Sequence, residues 1–129
     1  MKLLLDTHIF LWYITKDRRL DPDAERAIRQ PENQVFLSSV SLWECLVKHR
    51  LGKLPQPPEE YLPFQRQRHA ISPLPVDEAE VRHLAKLPDL HRDPFDRMLI
   101  CQALEYDLTL MTVDRAIKQY PVTTFQIGH

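Results

Sequence analysis

The residues best suited to chemistry in this 129-residue chain are acids placed where a core should be. Position along a helix singles out Asp96. At about 100° per residue, Phe95, Leu99, Ile100, Ala103 and Leu104 form the apolar arc of a helix expected over Asp93–Tyr106, and Asp96 falls in its middle. A carboxylate facing a core is costly unless it is paired, hydrogen-bonded or on a metal. The plain alternative for Asp96 is a first-turn acid favoured by the helix dipole. Asp93 lies three residues earlier on the same side, but Asp before Pro is a common helix N-cap, and capping is the favoured reading there. Glu44 sits at one edge of the arc of Leu42, Trp43, Leu46 and Val47. It is either a functional acid or a half-exposed partner for Lys48 at i+4. Asp6 and Asp114 each fall just past an expected strand end, where they can equally cap the helices that follow.

The combination carries more than any single acid. Carboxylates gathered in one crevice repel and raise one another's pKa values unless divalent cations hold them ionised. Oxygen-only ligands suit Mg²⁺ or Mn²⁺ rather than zinc. Such a cluster is what in-line phosphodiester hydrolysis needs, because the metal activates a water and stabilises the leaving oxygen. The competing reading is a non-catalytic binding module whose acids grip a basic partner.

The elements that must position these acids alternate between strand and helix. Strands are expected at Lys2–Leu5, Val35–Ser38, Ile71–Leu74, Leu108–Met111 and near Thr123–Ile127. Between them lie helices over Thr7–Ile14, Pro22–Arg29, from a Ser39 or Ser41 cap to Gly52, Glu59–His69, Asp77–Leu87 and Asp93–Tyr106, with a short one from Asp114. The proline-dense stretch from Pro55 to Pro63 reads as a loop leading into a helix. Short apolar strands separated by helices imply an α/β fold in three layers, α/β/α, around a parallel sheet of four to five strands. In such sheets the ligand crevice lies beyond the carboxyl ends of the strands, where Asp6 and Asp114 fall.

Several other chemistries are excluded or weakened. The only glycines, Gly52 and Gly128, cannot make a phosphate loop or dinucleotide fingerprint. Six histidines show no zinc-type spacing, and Cys45 and Cys101 read as two buried thiols in a reducing cytoplasm. Ser38, Ser39 and Ser41 form no G-x-S-x-G turn. The start, Asp6-Thr7-His8, lacks the second aspartate of an aspartyl-phosphate phosphatase. No apolar run approaches the roughly 20 residues that span a bilayer, and the N-terminal run reads as a core strand rather than a signal peptide. A net charge of −1 argues against a non-specific DNA coat but little against a nuclease, whose metal supplies positive charge locally. Arg92, Arg97 and Arg115 flank the acids and either contact phosphates or balance charge. Trp12, Tyr13 and Trp43 can stack bases, although core or dimer packing is the favoured reading. Arg66, Arg68 and His69 make a basic surface, RNA-facing or merely solvated.

Three stretches carry a family resemblance: LLLDTHIFLW at 3–12, SSVSLWECLVKHRLGKL at 38–54 and HRDPFDRMLICQALEYDLTLMTVD at 91–114. In them the chain resembles the PIN-domain nucleases, and among these the VapC-type toxins of bacterial type II toxin–antitoxin pairs. The RDPFDR–helix–strand–TxD block is the specific part. The resemblance implies a single PIN-like nuclease domain over residues 1–129 and cleavage of single-stranded or looped RNA with Mg²⁺ or Mn²⁺. It also implies a homodimer and a small cognate antitoxin, while the cytoplasmic location is the expectation from the two thiols. The family's four acids fall on Asp6, Glu44, Asp96 and Asp114, and its small hydroxyl residue near the metal on Thr112. Asp93 is an additional acid that serves the metal through water or only caps the helix. On this reading Asp6, Asp96 and Asp114 hold the metal, while Glu44 completes the cage or orients the attacking water. Products are then expected to carry 5′-phosphate and 3′-hydroxyl ends.

Overall fold

In a computed structural model, which describes residues 1–53, 58–90 and 92–126, the backbone opens with strand β1 (Lys2–Leu5). Its side chains alternate between two cores. Leu3 and Leu5 join Ile9, Phe10, Ala24, Ile28, Val35 and Leu37 on one face, while Leu4 joins Leu99, Ile100, Ala103, Leu110 and Ile117 on the other. The period of two along a strand is what splits these leucines. All three are completely buried, so the sheet is covered on both faces, as three layers require.

Helix α1 (Thr7–Thr15) follows with one intervening residue, then α2 (Pro22–Arg29), capped by Asp21 with Pro22 in its first turn. Next come β2 (Gln34–Ser38), α3 (Ser39–Arg50), α4 (Pro58–Arg68) and β3 (Ser72–Leu74). The order closes with α5 (Glu78–Val81), α6 (Pro94–Tyr106) and β4 (Thr109–Met111). The four strands are parallel in the order β3-β2-β1-β4, with Leu4 facing Phe36 on one side and Leu110 on the other. The chain therefore leaves β1 toward β2 and returns to the opposite edge as β4. A ligand crevice in such a sheet lies at that reversal, beyond the carboxyl ends of β1 and β4.

Several boundaries differ from expectation. Ser38, not Ser39 or Ser41, caps α3, its Oγ accepting from the Val40 amide at 3.0 Å. Gly52 does follow the helix end, at φ +74°, the left-handed region that glycine enters without penalty. The helix expected over 77–87 is α-helical only to Val81. Asp77 and Glu80 close a capping box, and Arg82–Ala85 tightens into a 3₁₀ turn, as helix ends often do. The short helix after Asp114 is one 3₁₀ turn at Ile117–Gln119. Among the described residues, the expected last strand is an isolated parallel bridge of Thr124 with Leu110. Residues 55–57 of the expected proline-rich loop, His91 and Leu54 of the quoted stretches, and Ile127 and Gly128 lie outside the described residues.

Candidate active site

Asp6 leaves the carboxyl end of β1 and caps α1, its Oδ1 accepting from the Thr7 amide at 2.7 Å. Its Oδ2 accepts from the hydroxyl of Thr112 at 2.7 Å, across 106 residues of sequence. Thr112 directly follows β4 and is completely buried, and its hydroxyl oxygen also accepts from the Asp114 amide at 3.0 Å. One hydroxyl thus ties the acid after β1 to the acid after β4. Asp114 caps its own turn, accepting from the Ala116 amide at 2.8 Å.

Helix α6 brings the next two acids. Asp93 is its N-cap, with Oδ1 accepting from the amides of Phe95 and Asp96. This is the capping role expected of Asp before Pro. Asp96, in the first turn, is buried as its place in the apolar arc requires.

Glu44 comes from α3 and is 3% exposed, not half-exposed. Lys48, one turn on, donates to its Oε2 at 2.5 Å, and Thr7 donates its hydroxyl to Oε1 at 2.7 Å. A hydroxyl has one proton, so Ser41, with Oγ 2.9 Å from that of Thr7, donates to Thr7 in turn.

These acids face one crevice of about 310 Å³, lined by Asp6, Glu44, Asp93, Asp96 and Asp114, with His8, Trp12, Lys48 and Val113 around them. Burial, then the negative charges of Asp6, Asp93, Glu44 and Asp114, push the Asp96 carboxyl up to about 8. Burial also raises Asp6, against the hydrogen bonds from Thr112 and Thr7 that favour its ionised form. For Lys48, burial acts to lower the ammonium, but the hydrogen bond and charge of Glu44, helped by Asp93, outweigh it and raise it. Among the described residues, no three acids are drawn together into a finished cation site. Carboxylates short of positive charge repel, so they share a crevice rather than a point.

The arginines sit differently. Arg97 donates to the Pro88 carbonyl at 2.8 Å and the Tyr120 hydroxyl at 3.1 Å. With Arg92 it lines a neighbouring, largely apolar cavity of about 610 Å³, together with Val40, Trp43, Val76, Leu84 and Met98. Arg115 is exposed beside Asp114. Trp12 stands at the acid crevice with His8 edge-on at 6.2 Å and the Arg19 guanidinium over its ring at 5.1 Å. Trp43 packs edge-on against Phe95 yet stays 56% exposed, and Tyr13 packs on the core and against His69. Sequence reasoning missed Thr7 and Ser41, and Lys48 as part of the site. The one legible signal was the i+4 spacing of Glu44 and Lys48.

Comparison with known proteins bears on the family and the fold. The family model "PIN domain" matches residues 3–122. Ribonuclease VapC16 of Mycobacterium tuberculosis is 44% identical over 71 residues, which cover 50% of this chain and 50% of that protein. The match thus spans about half the length of that curated relative. Among solved structures, VapBC2 from Rickettsia felis, bound to a promoter DNA fragment, aligns with TM-score 0.71 at 16% identity, over 98% of both chains. VapBC-1 from nontypeable Haemophilus influenzae aligns with TM-score 0.63 at 23% identity, again over 98% of both chains. At such identities these two speak for the fold alone.

Proposed function

Because the chain belongs to the PIN domain family, we propose that it is a metal-dependent endoribonuclease, the toxin of a type II toxin–antitoxin pair, with residues 1–129 as one nuclease domain. The observation that carries this reading is Asp96, a buried carboxyl held among four other acids at the carboxyl ends of β1 and β4. That donor set, all oxygen and short of positive charge, fits Mg²⁺ or Mn²⁺. Asp6, Asp96 and Asp114 would hold the ion, and Glu44 would complete the cage or orient the attacking water. When bound, the cation supplies the positive charge that activates a water, binds the scissile phosphate and stabilises the leaving oxygen.

The chain's own residues do the positioning. Thr112 fixes Asp6 and Asp114 from behind, and Asp93 caps the helix that presents Asp96. Arg115, exposed beside Asp114, is placed to meet a phosphate of the RNA, and Arg97 opens on the neighbouring cavity. RNA as substrate is supported by the ribonuclease name of the relative matched over half its length. A small antitoxin partner belongs to the same toxin reading, and the structural neighbours from Rickettsia felis and Haemophilus influenzae are VapBC proteins. A homodimer is supported by the apolar cavity around Trp43, which a single chain leaves uncovered. A cytoplasmic location belongs to the same proposal and accords with two free, buried thiols. No helix among the described residues is long and apolar enough to cross a membrane.

The test is cleavage of RNA by purified protein with Mg²⁺ or Mn²⁺ and with chelator. Cleavage only with the cation, abolished by Asp6→Asn or Asp96→Asn and leaving 5′-phosphate and 3′-hydroxyl ends, is expected. Equal residual cleavage by the variants would point to contamination and sink the assignment. Binding of a basic peptide without cleavage would favour the non-catalytic alternative.

A further inference from the structure

Glu44 and Asp6 are both buried and both accept two hydrogen bonds, but from different kinds of donor. Asp6 is held by an amide and a hydroxyl. Glu44 is held by a hydroxyl at Oε1 and by a full positive charge, the Lys48 ammonium, at Oε2. The pair sits one turn apart on α3 with the acid N-terminal, the favourable order for an i, i+4 pair. The Glu44 side chain is 3% exposed and that of Lys48 30%, so Glu44 is dry on the inside while Lys48 forms part of the crevice wall.

A divalent ion approaching Oε2 would meet that ammonium: it either displaces the partner of a buried carboxylate, which is strongly unfavourable, or binds directly beside a like charge. At Asp114, by contrast, Oδ1 accepts from a neutral backbone amide, that of Ala116. With both Glu44 oxygens fixed, the side chain is locked in one rotamer. Each oxygen still keeps a lone pair with which to accept a proton from water.

We propose that Lys48 is a positioning residue: by pairing with Glu44 it reserves that carboxylate for the attacking water and leaves the divalent ion to Asp6, Asp96 and Asp114. The inference rests on the nuclease reading and decides between the two roles that reading leaves open for Glu44. It concerns the full chain and needs no change of fold.

The experiment measures Mn²⁺ binding by calorimetry, with free Mn²⁺ followed by electron paramagnetic resonance, alongside RNA cleavage. It compares the wild-type protein with Lys48→Met, Lys48→Arg, Glu44→Gln and Asp96→Asn. Asp96→Asn is expected to weaken Mn²⁺ more than about tenfold, the scale on which metal-site substitutions act. Glu44→Gln and Lys48→Met are expected to stay within about threefold of wild type or bind tighter, while turnover falls at least about tenfold at little change in KM. Lys48→Arg keeps the charge, so it cannot fail merely by leaving Glu44 unpaired, and its turnover is expected between wild type and Lys48→Met. Wild-type turnover in Lys48→Met, or Mn²⁺ weakened by Glu44→Gln as much as by Asp96→Asn, overturns the proposal while leaving the nuclease standing. A wild-type protein that binds Mn²⁺ and cuts no RNA removes the nuclease reading itself, and this inference with it.

Discussion

Replacing Asp96 by Asn removes a charge that the metal-free fold tolerates poorly near neutral pH, so the variant should be inactive and yet more stable. In the fold the carboxyl keeps its proton up to about pH 8, whereas in the unfolded chain it ionises near its ordinary value of 3.8. Between those values the native state binds more protons than the unfolded one. Stability therefore falls as pH rises, by up to about 1.4 kcal/mol per pH unit, and levels off above pH 8. Integrated to pH 7 and discounted for the crevice's opening to solvent, the group weakens the metal-free protein by roughly 3 kcal/mol, more than twice its effect at pH 5. The amide of Asn resembles the protonated acid and escapes this, so the advantage of Asp96→Asn should widen from pH 5 to pH 7. At pH 7 it should amount to roughly 10 °C in Tm. The assay is thermal unfolding of both proteins with chelator at pH 5, 6, 7 and 8. Adding Mn²⁺ at a hundred times the wild-type Kd should return about 2.7 kcal/mol to the wild type and at most about half of that to the variant. A stability gap that is flat across this range, or a variant less stable than wild type at pH 7, would refute the account of Asp96 as an acid whose ionised form burial disfavours.

Three further outcomes are expected. Thr112→Val deletes the hydroxyl that links Asp6 to the Asp114 amide, and should lower stability by about 1–3 kcal/mol and Mn²⁺ affinity about 10–100-fold. Thr112→Ser should restore both, and wild-type Mn²⁺ binding by Thr112→Val in calorimetry would show the link to be idle. Burial above all pushes the Cys45 thiol up to about 12 and that of Cys101 to about 11. Neither should react with a thiol reagent at pH 8 until the protein is denatured, and fast labelling of the folded chain would contradict this. Val76→Glu puts a charge on the apolar cavity beside Trp43, so it should convert a dimer of roughly twice 15.3 kDa into a monomer in analytical ultracentrifugation. A monomeric wild type, or a variant that still dimerises, would move the interface elsewhere.

What the sequence determined by itself is local. The apolar run of β1, the Asp-Pro caps of α2 and α6, Gly52 after α3, and the inward angle of Asp96 all follow from contacts within a few residues, and all stand in the structure. The α/β class followed from the alternation of such elements. Local pattern reached less far where local forces are weak. The 77–87 segment forms its helix but not its expected length, and the expected fifth strand is one bridge among the described residues.

The tertiary structure decided the meeting of the acids. Asp6 and Asp114 become neighbours because β4 pairs with β1 rather than beyond β3, and strand order is a long-range choice that no periodicity records. Glu44 turned from a half-exposed possibility into a buried acid because α3 packs against α1 and α6, placing Thr7 on one oxygen while Lys48 holds the other. Thr112 ties two acids only once two parallel strands end side by side. The sequence supplied the charges, and the packing buried Asp96 among them, so that it keeps its proton without a cation.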